Sequence, residues 1–472
     1  MLPSNRRQFL HQAGLVTAAF AGLQRWAHAA AGVSTGAVLQ PKGSELDAAL
    51  REDEFGIIDL PAGFRYTIFS EAGTRMDDGL LVPGKHDGMG AFAGPDGKTI
   101  LVRNHELEAA GTDMSAWRGR RALFRKLPRE KFYDYGKGRA PSIGGTTTVL
   151  FDTKTMRLER QWLSLVGTNM NCAGGVTDWG SWITCEEAVQ VTEKDVEKDH
   201  GYNFEVPSTA QGLVTPLPLK AMGRFRHEAI AQEPKTGIIY QTEDRNEGLL
   251  YRFIPKERNK LAAGGKLQAL RLRDLPRADT RNYRQQLFNT REKHAVQWMD
   301  VQNVEAPDDE LRYQGFYEDD CARFSRGEGI WHGKDGIYFA CTDGGSKRKG
   351  QIWRYVPSPA EATPNEAAQP GTLELFIEPN DGSLVENCDN VTMAPWGDLI
   401  VCEDGTSPQF LIGVRPNGTV YKIGRTSISE LAGACFSPDG TTLFVNIQTP
   451  GMTVAISGPW QELARCDCPD EG

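Results

Sequence analysis

Three absences narrow the reading of this sequence before any motif is considered. The chain has no apolar run long enough to cross a bilayer, which needs about 20 consecutive apolar residues. The longest candidate, Ala13 to Leu23, is short and rich in Gly and Ala, so no stable membrane anchor is expected. Heptads and long amphipathic 3.6-residue periods are also lacking, which excludes a helical bundle or coiled coil. Finally, there is no excess of positive charge. Lys and Arg number 53 against 62 Asp and Glu, for a net charge of −9, and such a balance argues against nucleic acid as a partner. Sequence signatures of familiar catalysis are missing too. The chain carries no Gly-x-Ser-x-Gly nucleophile turn, no phosphate-cradling Gly-x4-Gly-Lys-Ser/Thr loop and no dinucleotide fingerprint.

What is present begins with an address. Arg6-Arg7 is followed by Phe9-Leu10, a modest apolar run and then Ala27-His28-Ala29, which offers small residues where a signal peptidase reads. This order predicts a twin-arginine export signal over residues 1–29, with the translocase as a partner during export and a periplasmic or secreted destination. That route carries folded proteins and often serves those that load metals first. The expected organisation beyond it is an N-terminal extension over 30–80, one large domain over 81–465 and a short tail over 466–472. Nine cysteines is an odd number for a disulfide framework. Cys466 and Cys468 at the tail can pair or stay free.

Most of the chain consists of short apolar segments between Gly, Pro, Asn and Asp, the pattern of an all-β protein. One unit recurs six times. It opens on a turn glycine, at Gly97, Gly180, Gly237, Gly336, Gly397 and Gly440, continues as an apolar run and ends on Asn, Glu or Asp six or seven residues later. Pro95-Asp96-Gly97 and Pro438-Asp439-Gly440 are turn sequences. Six such copies predict a β-propeller of about six irregular blades with long inter-blade insertions. Among these insertions are Lys194 to His200, the charged stretch Leu261 to Lys293, and an Ala/Pro/Glu-rich surface loop from Pro357 to Pro370. Cys185, Cys341 and Cys402 share one place in the repeat, as a buried small side chain would.

The repeat ends carry the chemistry. Glu186, Glu187, Glu243, Asp244, Asp343, Glu403 and Asp404 would converge at one end of the central channel. Like charges a few Å apart raise each other's pKa or need cations between them. Hard oxygen ligands in such number suit Ca²⁺, with about 6–8 oxygens, or a highly charged ion such as ferric iron. Turn caps facing solvent would use the same residue types. Single motifs are weaker. Asn104-His105-Glu106 sets a histidine beside a carboxylate. Asn171-Cys172-Ala173-Gly174-Gly175 puts a thiol where backbone can approach a ligand closely, although a buried structural cysteine would look the same. Cys388-Asp389-Asn390 offers further oxygens. Arg224-Phe225-Arg226-His227-Glu228 sets basic residues beside a carboxylate. Arg326 and Glu328, two apart on one strand, share a face, so one can hold a metal while the other grips an anion.

Taken in order, these segments resemble the PhoX family of alkaline phosphatases over about residues 85 to 451, and the first part of the chain beyond the export signal resembles nothing identified. The resemblance implies a monomeric propeller that hydrolyses phosphate monoesters with two oxo-bridged ferric ions and several calcium ions. It implies Cys172 as a thiolate ligand to iron, and Glu186 or Glu187 with Glu228, Glu243, Asp244, Glu328 and Asp389 as metal ligands. Arg326 and Asn104 would contact the substrate, with Arg326 and Glu328 at the reacting centre. A calcium-dependent propeller lactonase or phosphotriesterase, and a non-catalytic propeller stabilised by calcium, are the alternatives.

Overall fold

The computed structural model describes residues 50–108, 112–192, 196–306 and 310–464. The export signal and the Cys466/Cys468 pair lie outside them. Among the described residues no helix is long and apolar enough to cross a membrane.

Strand β1 (Arg65–Glu71) comes first. Blade 1 follows as β2 (His86–Ala93), β3 (Thr99–His105), β4 (Gly144–Asp152) and β5 (Arg157–Thr168). Blade 2 is β6 (Asn171–Val176), β7 (Ser181–Glu186) and β8 (Asn203–Pro207). Blade 3 is β9 (His227–Gln232), β10 (Ile239–Glu243), β11 (Leu250–Pro255) and β12 (Gly265–Leu272), extended by β13 (Lys293–Asp300). Blade 4 is β14 (Gly327–Gly333), β15 (Gly336–Cys341), β16 (Gln351–Val356) and β17 (Thr372–Ile377). Blade 5 is β18 (Cys388–Met393), β19 (Leu399–Glu403), β20 (Gln409–Val414) and β21 (Val420–Thr426). Blade 6 is β22 (Leu431–Phe436), β23 (Thr442–Ile447) and β24 (Met452–Ser457). β1 pairs with β24 and completes blade 6, so part of the stretch read as an N-terminal extension closes the ring. All pairings within blades are antiparallel. Hydrogen bonds between β13 and β17 fuse blades 3 and 4 into one nine-stranded sheet. The Leu261–Lys293 stretch is therefore only partly an insertion, since β12 lies inside it.

Each of the six recurring sequence units is the second strand of a blade. Its turn glycine starts the hairpin, and its Ile/Leu/Val run is buried between sheets. Val102, Ile183, Ile239, Ile337, Val401 and Val445 are all at most 1% exposed. Cys185, Cys341 and Cys402 are buried in these same strands, and none of the seven described cysteines is in a disulfide. The first strands form the inner ring, in the order β2, β6, β9, β14, β18, β22 and back to β2, each touching the next. The ring is tight because small residues face one another across it. A Cβ on Gly88 would lie 2.5 Å from the Ala173 Cα, and one on Gly329 would lie 2.5 Å from the Val391 nitrogen.

The 357–370 loop is docked rather than free at the surface. Glu361 is 6% exposed, because it enters a polar pocket between blades 3 and 4. There it accepts hydrogen bonds from the Tyr240 hydroxyl (2.5 Å), the Tyr355 hydroxyl (2.7 Å) and Arg252 Nη1 (3.1 Å), while Glu366 of the same loop pairs with Arg252. Composition alone cannot show that a loop carries its own buried anchor. Truncating Glu361 would leave two tyrosine O–H groups and one N–H of a buried guanidinium without an acceptor, although Tyr355 keeps Trp298 as a donor and Arg252 keeps Glu366. Glu361→Ala is expected to lower unfolding free energy by about 3 kcal/mol, as measured by denaturant titration.

Candidate metal centre

All six inner strands carry the same irregularity. Between His86 and Met89, Asn171 and Gly174, His227 and Ile230, Gly327 and Ile330, Cys388 and Val391, and Ala432 and Cys435, the inner strand has one residue more than its neighbour. A bulge of this kind re-aims a side chain and bends the strand. The first residue inside each bulge is Asp87, Cys172, Glu228, Glu328, Asp389 and Gly433 in turn, followed by Gly88, Ala173, Ala229, Gly329, Asn390 and Ala434. Five of the six blades thus aim a metal-binding side chain at the axis, with a small residue or Asn beside it.

These side chains meet. Donor atoms of Cys172, Glu187 and Glu228 lie within 4.8 Å of one another, and so do those of Glu228, Glu328 and Asp389. Glu228 belongs to both groups. A second tier stands just past the ends of the second strands, where blades 1 to 5 supply in order Glu106, Glu187, Asp244, Thr342 and Asp404, and Ile447, the last residue of β23, holds the same register in blade 6. Glu430, immediately before β22, adds a further carboxyl on the side of blade 6.

Strand alternation sorts neighbouring acids into two jobs. Glu187 faces the centre, whereas Glu186 is 0% exposed and turned away. Glu186 accepts hydrogen bonds from the backbone nitrogens of Asn169 (2.9 Å), Gly201 (2.9 Å) and Tyr202 (3.2 Å) and pairs with His200 Nδ1 (2.7 Å). Glu243 likewise accepts from Leu249 N (2.9 Å) and the Tyr251 hydroxyl (3.1 Å). Glu403 accepts from Glu386 N (2.8 Å) and Phe410 N (3.2 Å). Glu186 and Glu243, expected as ligands, thus stand outside both donor groups, with their carboxylates turned to the scaffold. Asn104 is also committed. Its amide donates to the carbonyls of Cys172 (3.1 Å) and Ala173 (2.7 Å) and accepts from Trp182 Nε1 (2.9 Å), so it braces the Cys172 bulge from behind instead of facing substrate. His105 is held by the Gly84 carbonyl and Thr147, and Asp343 is turned to the rim by Ser325, Tyr283 and Arg348.

Asp244 is gripped by Arg326 through two parallel 2.8 Å hydrogen bonds from Nε and Nη2. Nη2 also lies 3.3 Å from Glu328 Oε1. Arg326 adopts a left-handed backbone (φ 49°), a costly conformation for a residue with a Cβ and one found at functional sites. Its side chain is 43% exposed, and its Nη1 group lies outside this pairing. Lys85 reaches Glu106 (3.2 Å), and Arg226 approaches Glu187 (3.8 Å).

Asp87, Lys85 and Glu430 escaped the sequence reading, which followed second-strand ends. The missed signal is the bulge pattern itself: His86-Asp87-Gly88 has the same layout as Asn171-Cys172-Ala173 and Gly327-Glu328-Gly329.

The electrostatics are one-sided. Burial, then repulsion from neighbouring carboxylates, holds Asp87, Glu228 and Glu328 well above the ordinary carboxylate range. The same causes push Glu187 to about 8, Asp389 to about 7 and Glu430 to about 11. Burial also raises the Cys172 thiol, with Glu228 and Glu187 adding to it. The basic side chains paired with these acids, Lys85, Arg226 and Arg326, do not balance the set. Several carboxylates with one thiol fit cations as a donor set: oxygen-rich groups suit calcium or ferric iron, and a thiol becomes a thiolate when a cation stands beside it.

Comparisons with known proteins bear on the family and the fold. A family model described as "Alkaline phosphatase PhoX" matches residues 46–155 and 144–451. Among solved structures, PhoX of Pseudomonas fluorescens in complex with vanadate, described as a transition state analogue, is similar. The TM-score is 0.63 at 17% identity, over 85% of this chain and 96% of that one. A luciferin-regenerating enzyme gives a TM-score of 0.41 at 8% identity, over 84% and 96%. A gluconolactonase of Xanthomonas campestris gives 0.34 at 11%, over 85% and 97%. No curated protein sequence matches.

Behind the centre, His200 sits between Glu186 and Asp134 (Nε2 to Oδ2, 3.3 Å). Burial would depress the imidazole, but the Glu186 charge and hydrogen bonds to both acids outweigh it and push its pKa from 6.5 to about 9. A pKa raised on folding gives stability that is complete below about 6.5 and lost as pH rises through 9. Thermal unfolding of the wild type should therefore weaken between those values by on the order of 3 kcal/mol. His200→Gln should lack that slope and be the less stable protein at pH 6. Equal slopes in both proteins would refute this assignment.

Proposed function

Because the chain belongs to the PhoX alkaline phosphatase family, whose model spans most of it, we propose that it is a metal-dependent phosphomonoesterase with its active site at the mouth of the propeller. The observation that carries this reading is the pair of donor clusters that share Glu228 on the channel axis. Iron is assigned to the Cys172, Glu187 and Glu228 group, and calcium to the oxygen-only Glu228, Glu328 and Asp389 group. Asp87, Glu106, Asp404 and Glu430, whose charges bear on one another on the blade 6 side, would offer oxygens to a further calcium. A thiol among the donors is not what a calcium-only lactonase calls for.

When bound, the cations supply Lewis-acid charge that neutralises phosphoryl oxygens and draws the pKa of water down toward ~7. The chain's own residues do the rest. The five bulges fix the donors on strands instead of loops, so little reorganisation is needed as charge develops. Asp244 holds the Arg326 guanidinium in plane, so that its outer edge can donate to two phosphoryl oxygens. Arg226 and Lys85 add positive charge at the rim, which draws an anionic ester to an otherwise acidic protein. These groups all address the phosphoryl end of a substrate. Export by the twin-arginine route, with metals acquired beforehand, and action as a monomer on small phosphate monoesters belong to the same proposal.

Three measurements test it. Release of phosphate from an aryl phosphate is expected to stop in strong chelator, and unchanged turnover there would refute a metal role. Cys172→Ser is expected to lose iron and visible absorption and to fall at least ~100-fold in activity. Arg326→Ala, by contrast, is expected to keep its metals while kcat/KM drops by ~10²–10³. An Arg326→Ala protein with full kcat/KM would remove that residue from the substrate.

A further inference from the structure

The rim of the mouth at blade 4 departs from its neighbours. Past the end of β15, where blades 1, 2, 3 and 5 place an acid, blade 4 places Thr342. The chain then makes the loop Asp343-Gly-Gly-Ser-Lys347-Arg348-Lys349. This loop is tied to the site on both sides. Thr342 N donates to the Arg326 carbonyl (3.0 Å), and Asn387 N, beside the Asp389 bulge, donates to the Lys349 carbonyl (2.9 Å).

A second segment, the stretch between β12 and β13, brings Tyr283 to the same place. The Tyr283 hydroxyl lies 2.9 Å from Asp343 Oδ1, and Ser325, next to Arg326, donates to the same carboxylate. The Arg348 guanidinium lies 3.9 Å from the centre of the Tyr283 ring, with Nη1 3.2 Å from Asp343 Oδ2. Arg281 sits 4.7 Å from the same ring. Asp343 contributes to the field at Arg326. Arg326, Ser325, Asp343, Tyr283 and Arg348 are therefore one contiguous chain of contacts running outward from the phosphate end. At its outer end Arg348 remains 53% exposed, and Lys347 beside it is exposed. A guanidinium seated on an aromatic face is ordered before any ligand arrives, so less side-chain freedom is lost on binding.

Resting on the phosphatase reading above, we propose that Arg348 and Lys347 form a leaving-group subsite, with Tyr283 as its positioning residue. The substrates it favours are phosphomonoesters whose leaving group carries a second anionic group, a carboxylate or a second phosphate. The phosphoryl end is held at the axis and the distal anion at the rim. Uncharged alcohols have no partner there.

The test compares two matched pairs on the metal-loaded enzyme. These are 3-phosphoglycerate against glycerol 3-phosphate, and glucose 1,6-bisphosphate against glucose 6-phosphate. The first pair adds a carboxylate and the second a phosphate. The wild type should favour the charged member of at least one pair in kcat/KM, mainly through KM. Arg348→Ala combined with Lys347→Ala should cut that preference about tenfold, the size of one charge-assisted contact. Raising salt to about 0.5 M should do the same. Tyr283→Leu should reduce the preference and Tyr283→Phe should retain it. Both paired positions are exposed, so loss of folding is not expected to obscure the result. A wild-type preference near one in both pairs, or a preference untouched by the double substitution, would overturn the subsite while leaving the phosphatase intact. Failure to release phosphate from all four compounds would overturn the phosphatase reading and the subsite with it.

Discussion

The mouth of this propeller is organised around repulsion. Asp87, Glu187, Glu228, Glu328 and Asp389 are forced together where burial makes each charge costly and its neighbours make it costlier. With protein groups alone, such a set must protonate in part. With cations among them, the same carboxylates become mutually supporting, since each ion is shared and Glu228 stands in both donor groups. Stability of the centre and readiness to bind an anion are then one property, because cations that relieve the carboxylates also present positive charge to a phosphate.

The fold supplies this crowding cheaply. One extra residue in each inner strand, at the same level in all six, turns a side chain from the sheet face toward the axis. The small residues that follow let the strands close in. Blade 6 shows the rule by departing from it. At its bulge stands Gly433, with φ 62°, whose added Cβ would lie 2.4 Å from the Asp87 carbonyl oxygen. No ligand can be aimed from there, and Glu430 enters from the preceding loop instead. Blade 4 departs in its second tier, where Thr342 stands in place of an acid and Arg326 of the same blade pairs with Asp244 of blade 3.

The repeat of second strands was legible from the sequence, and so was the propeller, because a turn glycine followed by a β-branched run is a local signal; that two of its blades fuse into one nine-stranded sheet was not. Which of two adjacent acids faces the axis was not. Glu186 and Glu187 look alike as letters, and the choice depends on where the strand ends and on what lies behind it. Asp87 was hidden for a related reason. Its strand, His86-Asp-Gly-Met-Gly-Ala-Phe-Ala93, has glycines where a strand normally carries bulk, and only the neighbouring blades explain them. The 357–370 loop misled through composition, since Ala, Pro and Glu usually mark solvent-facing chain, and one glutamate that finds two tyrosines reverses that.

The outward-turned acids give the paired Glu-Glu and Glu-Asp ends their logic. Glu186, Glu243 and Glu403 each accept backbone N–H groups from the chain that follows or precedes their strand. Each is followed directly by an acid of the second tier, Glu187, Asp244 or Asp404. A carboxylate that binds several backbone donors fixes the direction of the peptide leaving it, and that peptide carries the next side chain. The repulsive centre would otherwise push the second-tier acids out toward water, since a strand end is the place where a chain yields most easily. Anchoring the neighbour removes that freedom at its source. In blade 2 the anchor is strengthened by His200, which is itself braced by Asp134, so the second-tier acid that shares a donor group with the thiol has this extra support. The same residue type therefore serves opposite ends within two positions, one oxygen pair binding the scaffold and the next left for the axis.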